Sequence, residues 1–206
     1  MTGFRQAVRT LLRDRILDAA YGLVAAEGWG RLRIAGVARA AGVSRQTVYN
    51  EFGREPREAI GRALVERETE RFLLGIHREL ESHRGELLAA ARAGVGFVLA
   101  EAQGNALIKA ILTAERGGGD DELLAYLTTQ DLVFDAATGM LDAYAAEAWP
   151  EVDEVSRSLA VETIVRLTVS HIVRPSGSAQ ESAGRIAGIA VRVAYGGEGA
   201  GGGAGR

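Results

Sequence analysis

The sequence predicts an all-α protein, with a three-helix N-terminal helix-turn-helix head followed by a longer helical bundle. Three observations lead there. Apolar residues recur at three- and four-residue spacing through most of the 206 residues. No segment alternates apolar and polar residues as a half-buried strand would. Only Pro56, Pro150 and Pro175 interrupt a chain rich in alanine and leucine, which enter helices at little entropic cost.

From about Gln6, the residues Leu12, Ile16, Ala20, Leu23 and Val24 form one apolar stripe, with Arg13, Asp14, Arg15 and Asp18 between them. A first amphipathic helix therefore runs to Gly28, which suits a left-handed C-terminal cap. Trp29 and Leu32 return the chain to the core. A second, short helix covers about Ile34 to Ala41, with Ile34, Val37, Ala38 and Ala41 inward and Gly42 ending it. Ser44 can cap a third helix by accepting an amide hydrogen from its first turn, and Val43, Val48 and Phe52 supply that helix's inward face. A helix ended by glycine and followed after two residues by a capped one has the form of a helix-turn-helix.

Gly53 and Arg54 close the head, which places the expected domains at residues 1–54 and 55–195. Pro56 suits the first turn of a long helix to about Ser82, because amides there have no partner to lose. On it, Glu58, Arg62 and Glu66 alternate in sign along a solvated face. Further helices are expected over about Arg84–Ala102, Asn105–Ala114, Asp121–Ala148, Pro150–Val173 and Ala179–Tyr195, with RGGGDD from Arg116 a flexible connection. Residues 196–206 hold almost nothing to bury and are expected to be disordered.

Composition narrows the function. With no cysteine there is no disulfide, thiolate nucleophile or cysteine zinc site. No apolar run approaches the length of a membrane span and no leader precedes the first helix, so a cytoplasmic chain with no membrane partner is expected. The formal net charge of −3 hides an asymmetry: residues 1–54 carry nine arginines against four acids, and the remainder 15 basic against 23 acidic residues. A basic head on an acidic body suits a head that meets a polyanion.

On the third helix, once Val48 and Phe52 point inward, Arg45, Gln46, Thr47, Tyr49 and Asn50 occupy the outer and flanking faces. Such a helix fits a DNA major groove. Arg45 can donate two hydrogen bonds to guanine or hold a phosphate, Gln46 can pair with the adenine edge, and the Thr47 methyl can meet a thymine methyl. Tyr49 suits a phosphate oxygen, which fixes register without reading sequence.

The run RILDAAYGLVAAEGWGRLRIAGVARAAGVSRQTVYNEF, within Arg13 to Ala59, resembles the DNA-binding head of TetR-type transcriptional regulators. The shared features are a first helix ending in glycine-aromatic, an apolar-Ala-x-x-Ala-Gly-Val-Ser segment, and apolar-Tyr-x-x-Phe. The resemblance implies that Arg45, Gln46 and Thr47 face bases and that Tyr49 touches backbone or a base methyl. With it, Arg33, Ser44, Asn50 and Arg54 complete the candidate DNA contacts. Three positions depart from the family pattern. Arg33 stands where a capping threonine or serine is usual; it cannot cap but can bind phosphate. Glu51 replaces a common histidine and Glu55 a common lysine, and two carboxylates beside the DNA backbone repel phosphate unless Arg54 or Arg57 offsets them.

In the body, the helix from Pro150 begins with Glu151, Asp153 and Glu154 at the positive end of its dipole. It is apolar around most of its circumference at Val161, Ile164, Val165, Leu167, Val169, Ile172 and Val173, more than one core requires. With the small residues Ala183, Gly184, Ala187 and Gly188 of the last helix, it is expected to form a four-helix seam with a second copy. A homodimer then presents two heads to a palindromic operator in double-stranded DNA, with half-sites about one helical turn apart.

TetR-like bodies enclose a ligand cavity, which implies a repressor released by an apolar, fatty-acyl-like effector. The candidate ligand residues are Phe72, Ile76, His77, Phe97, Gln103, Leu107, Ile111, Tyr126, Gln130 and Phe134. A DNA-binding dimer without an effector, controlled by a protein partner or by abundance, is the alternative within the class. A helical-bundle enzyme is the alternative outside it. His77 and His83 are six apart rather than three or four, so no metal site or other cofactor is expected, and no nucleophile elbow or dinucleotide fingerprint occurs in its strand context.

Overall fold

The computed structural model describes residues 2–105 and 130–196, and among these every regular element is helical. The helix expected over Asn105–Ala114, beyond Asn105 itself, lies outside the described residues, as do the RGGGDD connection, the start of the helix expected from Asp121, and residues 197–206 of the tail. The described residues divide into two units, 2–69 and 70–105 with 130–196; the division falls inside a helix, later than the 54/55 boundary expected.

In the first unit, α1 (Thr2–Glu27) starts ahead of Gln6 and buries Ile16, Leu17 and Ala20. Gly28 has φ 82° but ψ 159°, so it turns the chain into extended rather than left-handed helical backbone, and a single 3₁₀ turn, Trp29–Arg31, follows. Next come α2 (Ile34–Ala41), which buries Val37, Ala38 and Ala41, and α3 (Arg45–Phe52), which buries Val48 and Phe52; Ile34 and Val43, also expected inward, are half-buried. Gly42 between them is left-handed at φ 65° and ψ 35°. A Cβ there would meet only the mobile end of the Arg15 side chain, 2.6 Å from Nη2, so it is the backbone conformation that calls for glycine.

The long α4 (Pro56–Glu81) completes the head with its first half. Ile16, Leu32, Val37, Val48, Ile60 and Leu64 are fully buried, and together they make one small core from α1, α2, α3, α4 and the turn. Gly61 lets Trp29 lie flat on α4; a Cβ there would come within 2.7 Å of the indole. The Arg57 guanidinium covers the same ring, 5.0 Å from its centroid.

In the second unit, α5 (Leu87–Gly104) begins three residues later than the sequence suggests, because the chain turns at Gly85 with φ 95°. It is followed by α6 (Gln130–Ala148), α7 (Glu154–Val173) and α8 (Ala179–Gly196). The expectation that α7 starts at Pro150 is corrected: its N-cap is Asp153, whose carboxylate accepts the Ser156 N–H at 3.0 Å. Hydrogen bonds from Ser156 hold the Asp153 carboxyl below its ordinary pKa.

Val95, Leu99 and Ala102 of α5, Ile172 of α7, and Ala183 and Ile186 of α8 form the core of this unit. The buried side of α8 is mostly alanine, at Ala183, Ala187, Ala190 and Ala194, which brings its backbone close to α5 and α7. So Ala183 and Ala187 are spent within the chain. Val155, Leu159, Val173, Ile189 and Tyr195 remain exposed on α7 and α8.

The packing of Trp29 on α4 is a sensitive point of the head. Gly61→Ala is expected to lower stability by about 1–3 kcal/mol, because a ring pinned beneath Arg57 has little room to yield. Thermal denaturation of the variant beside the parent chain measures it.

Candidate functional site

An eight-residue helix is not stable alone in water, so α3 depends on its cap and its anchors. Ser44 Oγ accepts the Thr47 N–H at 3.0 Å and lies 2.8 Å from Thr47 Oγ1. Val48 and Phe52 are buried, and that fixes the rotation of α3: Arg45, Gln46, Tyr49 and Asn50 face solvent, with Thr47 half-buried. Because the Thr47 hydroxyl is turned to Ser44, its methyl is the group left for a base.

Gln46 Nε2 donates to Asn50 Oδ1 at 2.9 Å. That uses one amide hydrogen of Gln46. The other hydrogen and Oε1 are what a paired contact to adenine needs, and Asn50 holds the amide in place for it. The Arg45 guanidinium makes no hydrogen bond or ion pair among the described residues. Tyr49 is 40% exposed.

Arg33 precedes α2 with no side-chain cap; its Nη1 instead donates to the Gly30 carbonyl at 2.9 Å and the Leu32 carbonyl at 3.2 Å. Arg54 and Glu55 are exposed beyond the end of α3. Arg57 donates Nη2 to the Trp29 carbonyl at 3.2 Å. For Glu51 the offsetting charge comes from α1, where Arg9 Nε donates to Glu51 Oε2 at 3.0 Å. Sequence reasoning sought that partner among nearby residues and missed Arg9; the signal was the four-residue spacing of Arg5, Arg9 and Arg13 on one helix.

The second unit contains an apolar cavity of ≈ 70 Å³. Its wall includes Leu80 of α4, Leu87 of α5, Tyr144 of α6, Arg157 of α7 and Val191 of α8, with Trp149 between α6 and α7. Trp149 is 6% exposed and its buried Nε1–H has no hydrogen-bond partner. Its ring stands edge-on to Tyr144 at 5.7 Å, and Tyr144 edge-on to His77 at 5.5 Å. Burial pushes the Tyr144 phenol up to about 12, and the Glu81 carboxylate, near but outside hydrogen-bond geometry, pushes it the same way. Tyr144 is therefore a neutral hydroxyl at physiological pH. Arg157 Nε donates to Asp142 Oδ1 at 3.2 Å.

The sequence-derived ligand residues stand elsewhere. Phe72 and Phe97 pack on each other with centroids 6.0 Å apart, and Ile76 is buried beside them on α4. His77 and Gln103 are exposed, His77 meeting the cavity only through Tyr144. None of these five is in the cavity wall. Leu107, Ile111 and Tyr126 lie outside the described residues, as do the side chains of Gln130 and Phe134. Among the described residues no helix is long and apolar enough to cross a membrane.

Family models match both parts of the chain: bacterial regulatory proteins of the tetR family over residues 16–54, and the bacterial tetracyclin repressor C-terminal domain over residues 86–192. The chain belongs to the TetR family. It is 31% identical over 185 residues to the HTH-type transcriptional regulator AlkX of Mycobacterium tuberculosis, covering 89% of this chain and 85% of that protein. Among solved structures it is similar to the TetR family repressor AlkX from Dietzia sp., implicated in biodegradation of n-alkanes, with 27% identity and a TM-score of 0.61. That match covers 88% of this chain and 94% of the other. The regulator FadR from Bacillus subtilis, solved with stearoyl-CoA, shares the fold at 16% identity and a TM-score of 0.55, over 88% of this chain and 97% of that one.

As a TetR family member the chain is a DNA-binding transcriptional regulator, and α3 is the second helix of its helix-turn-helix. Arg45→Ala is expected to weaken binding to a selected duplex by about 1–3 kcal/mol and to relax preference at one base position. Tyr49→Phe is expected to cost about 1 kcal/mol without changing preference, as loss of a backbone contact does. Anisotropy titrations over a set of single-base duplex variants measure both.

Proposed function

We propose that this chain is a homodimeric transcriptional repressor that binds a palindromic operator through two copies of α3 and is released by an apolar, fatty-acyl-like small molecule. The observation that carries the reading is the outer face of α3, where Arg45, Gln46, Tyr49 and Asn50 are held outward by buried Val48 and Phe52. The head covers residues 1–54 and is continued by α4, the body covers 55–195, and the chain works in the cytoplasm without a cofactor and without catalysis.

Dimerisation is supported by α7 and α8. Leu159 is 53% exposed and Ile189 41% exposed, with Ile164, Val165 and Leu167 only partly covered by the chain's own helices. A second copy laying the same two helices against these removes that apolar area from water.

The effector site is the ≈ 70 Å³ cavity rather than the Phe72 and Phe97 cluster, where the two rings already pack on each other. A cavity of ≈ 70 Å³ seats a short alkyl segment. A longer chain has to part the helices around it. Leu80 in the wall and Ile60 in the head lie on the same helix, α4. The n-alkane connection of one AlkX relative and the stearoyl-CoA bound to FadR support an alkyl or acyl chain as the occupant.

Trp149 reports on this directly. In Trp29→Phe it is the one remaining tryptophan, so its emission follows the cavity alone. Fatty acids or acyl-CoA esters of increasing chain length are expected to change that emission, to raise thermal stability by about 2.7 kcal/mol at a hundredfold excess over Kd, and to dissociate the protein from its duplex. A panel that changes neither emission nor melting overturns the effector and leaves the DNA reading standing.

A further inference from the structure

Glu51 sits on the last turn of α3, where a carboxylate would oppose the phosphates beside the groove. Its surroundings alter that. The Glu51 side chain is 13% exposed and is bonded by Arg9 Nε, whereas the Arg9 side chain is 68% exposed. One turn further along α1, Arg13 donates Nη1 to the Glu51 carbonyl at 3.4 Å and lays its guanidinium on the Phe52 ring, 4.5 Å from the centroid. Two arginines of α1 are thus fastened to the C-terminal end of the helix that enters DNA.

An ion pair whose cation is this exposed contributes little to folding. Its asymmetry fits a different role, because the acid is sheltered and the cation faces outward. Arg9 gives only Nε to Glu51. Its two Nη groups keep four N–H donors, the edge of a guanidinium that pairs with phosphate oxygens. The two arginines and one carboxylate leave a local charge of +1. A helix lying in the major groove has phosphates along both rims, and Arg9 stands at the end of that helix with its guanidinium outward.

We propose that Arg9 is a phosphate clamp and that Glu51 is its positioning residue, holding the guanidinium at the end of α3 so that its Nη edge meets the phosphodiester backbone at the rim of the groove. The inference rests on the reading that α3 enters DNA. The acid that departs from the family pattern thereby becomes part of the DNA contact, and the ligand it serves is the backbone, whatever the base sequence.

The test titrates Arg9→Ala, Glu51→Ala and the double variant against two duplexes, one selected by the parent chain from a random pool and one of random sequence, over a range of salt. Arg9→Ala is expected to weaken both duplexes alike, on the order of tenfold, and to make the slope of log K against log salt shallower by about 0.9. Glu51→Ala is expected to weaken binding about two- to fivefold in the parent background, and to strengthen it in the Arg9→Ala background, where the carboxylate has lost its partner and only repels. A merely structural role does not invert that sign, and melting curves of the three variants show that each is folded.

Tighter binding by Glu51→Ala in the parent background, or an unchanged salt slope in Arg9→Ala, overturns the clamp. Arg45→Ala, measured alongside, is expected to lose preference for the selected duplex. If that preference survives, the docking of α3 is at fault and the clamp falls with it; if it is lost while Arg9→Ala is silent, only the clamp fails.

Discussion

The DNA-binding head depends on the burial of Val48 and Phe52. α3 has eight residues, too few to hold a helix in water, and its outer face offers nothing that would fold it. Two buried side chains worth about 1.5–3 kcal/mol each, with the Ser44 cap adding about 1 kcal/mol, supply the stability the helix lacks. The same two side chains set the rotation of the helix, so stability and recognition share one cause. Arg45, Gln46, Tyr49 and Asn50 face outward because Val48 and Phe52 cannot. Thr47 then settles against Ser44, and Gln46 against Asn50, so that part of the reading face is ordered before any DNA arrives.

The body follows a looser rule. Alanines on the buried side of α8 draw it close to α5 and α7, around a core of Val95, Leu99, Ile172 and Ile186. Unfilled volume collects instead where the end of α4 meets α6 and α7, around Tyr144 and Trp149. There the Tyr144 and Trp149 rings meet edge-on, 5.7 Å apart. The Trp149 N–H is buried without an acceptor, a cost that a well-filled core avoids and that a binding site can carry.

Charge is arranged by the same economy of short connections. Glu51 would be a liability on a bare recognition helix, yet α1 extends past the head core and lays Arg9 and Arg13 across the end of α3. Arg57 is turned inward to Trp29, and Arg33 to the carbonyls of the turn before α2. Arginines that look interchangeable along the chain therefore divide into those that hold the head together and those, such as Arg45, that are left free to meet DNA.

The sequence by itself determined the all-α class, α2 and α3 to the residue, the capping by Ser44, the turn at Gly42 and the outward face of α3. All of these rest on local rules of period, capping and glycine geometry, which act over four or five residues and are written where they act. The start of α7 was less legible, because Pro150 and Asp153 both suit a helix N-terminus and only the hydrogen bond to Ser156 separates them. Tertiary structure alone decided that Phe72 and Phe97 pack on each other while Tyr144, Trp149 and Arg157 line a cavity, and that Glu51 is paired with a residue 42 positions away. Apolar side chains read alike in sequence whether they fill space or surround it, and the four-residue spacing of Arg5, Arg9 and Arg13 marks a basic face on α1 without naming the acid that packing brings to it.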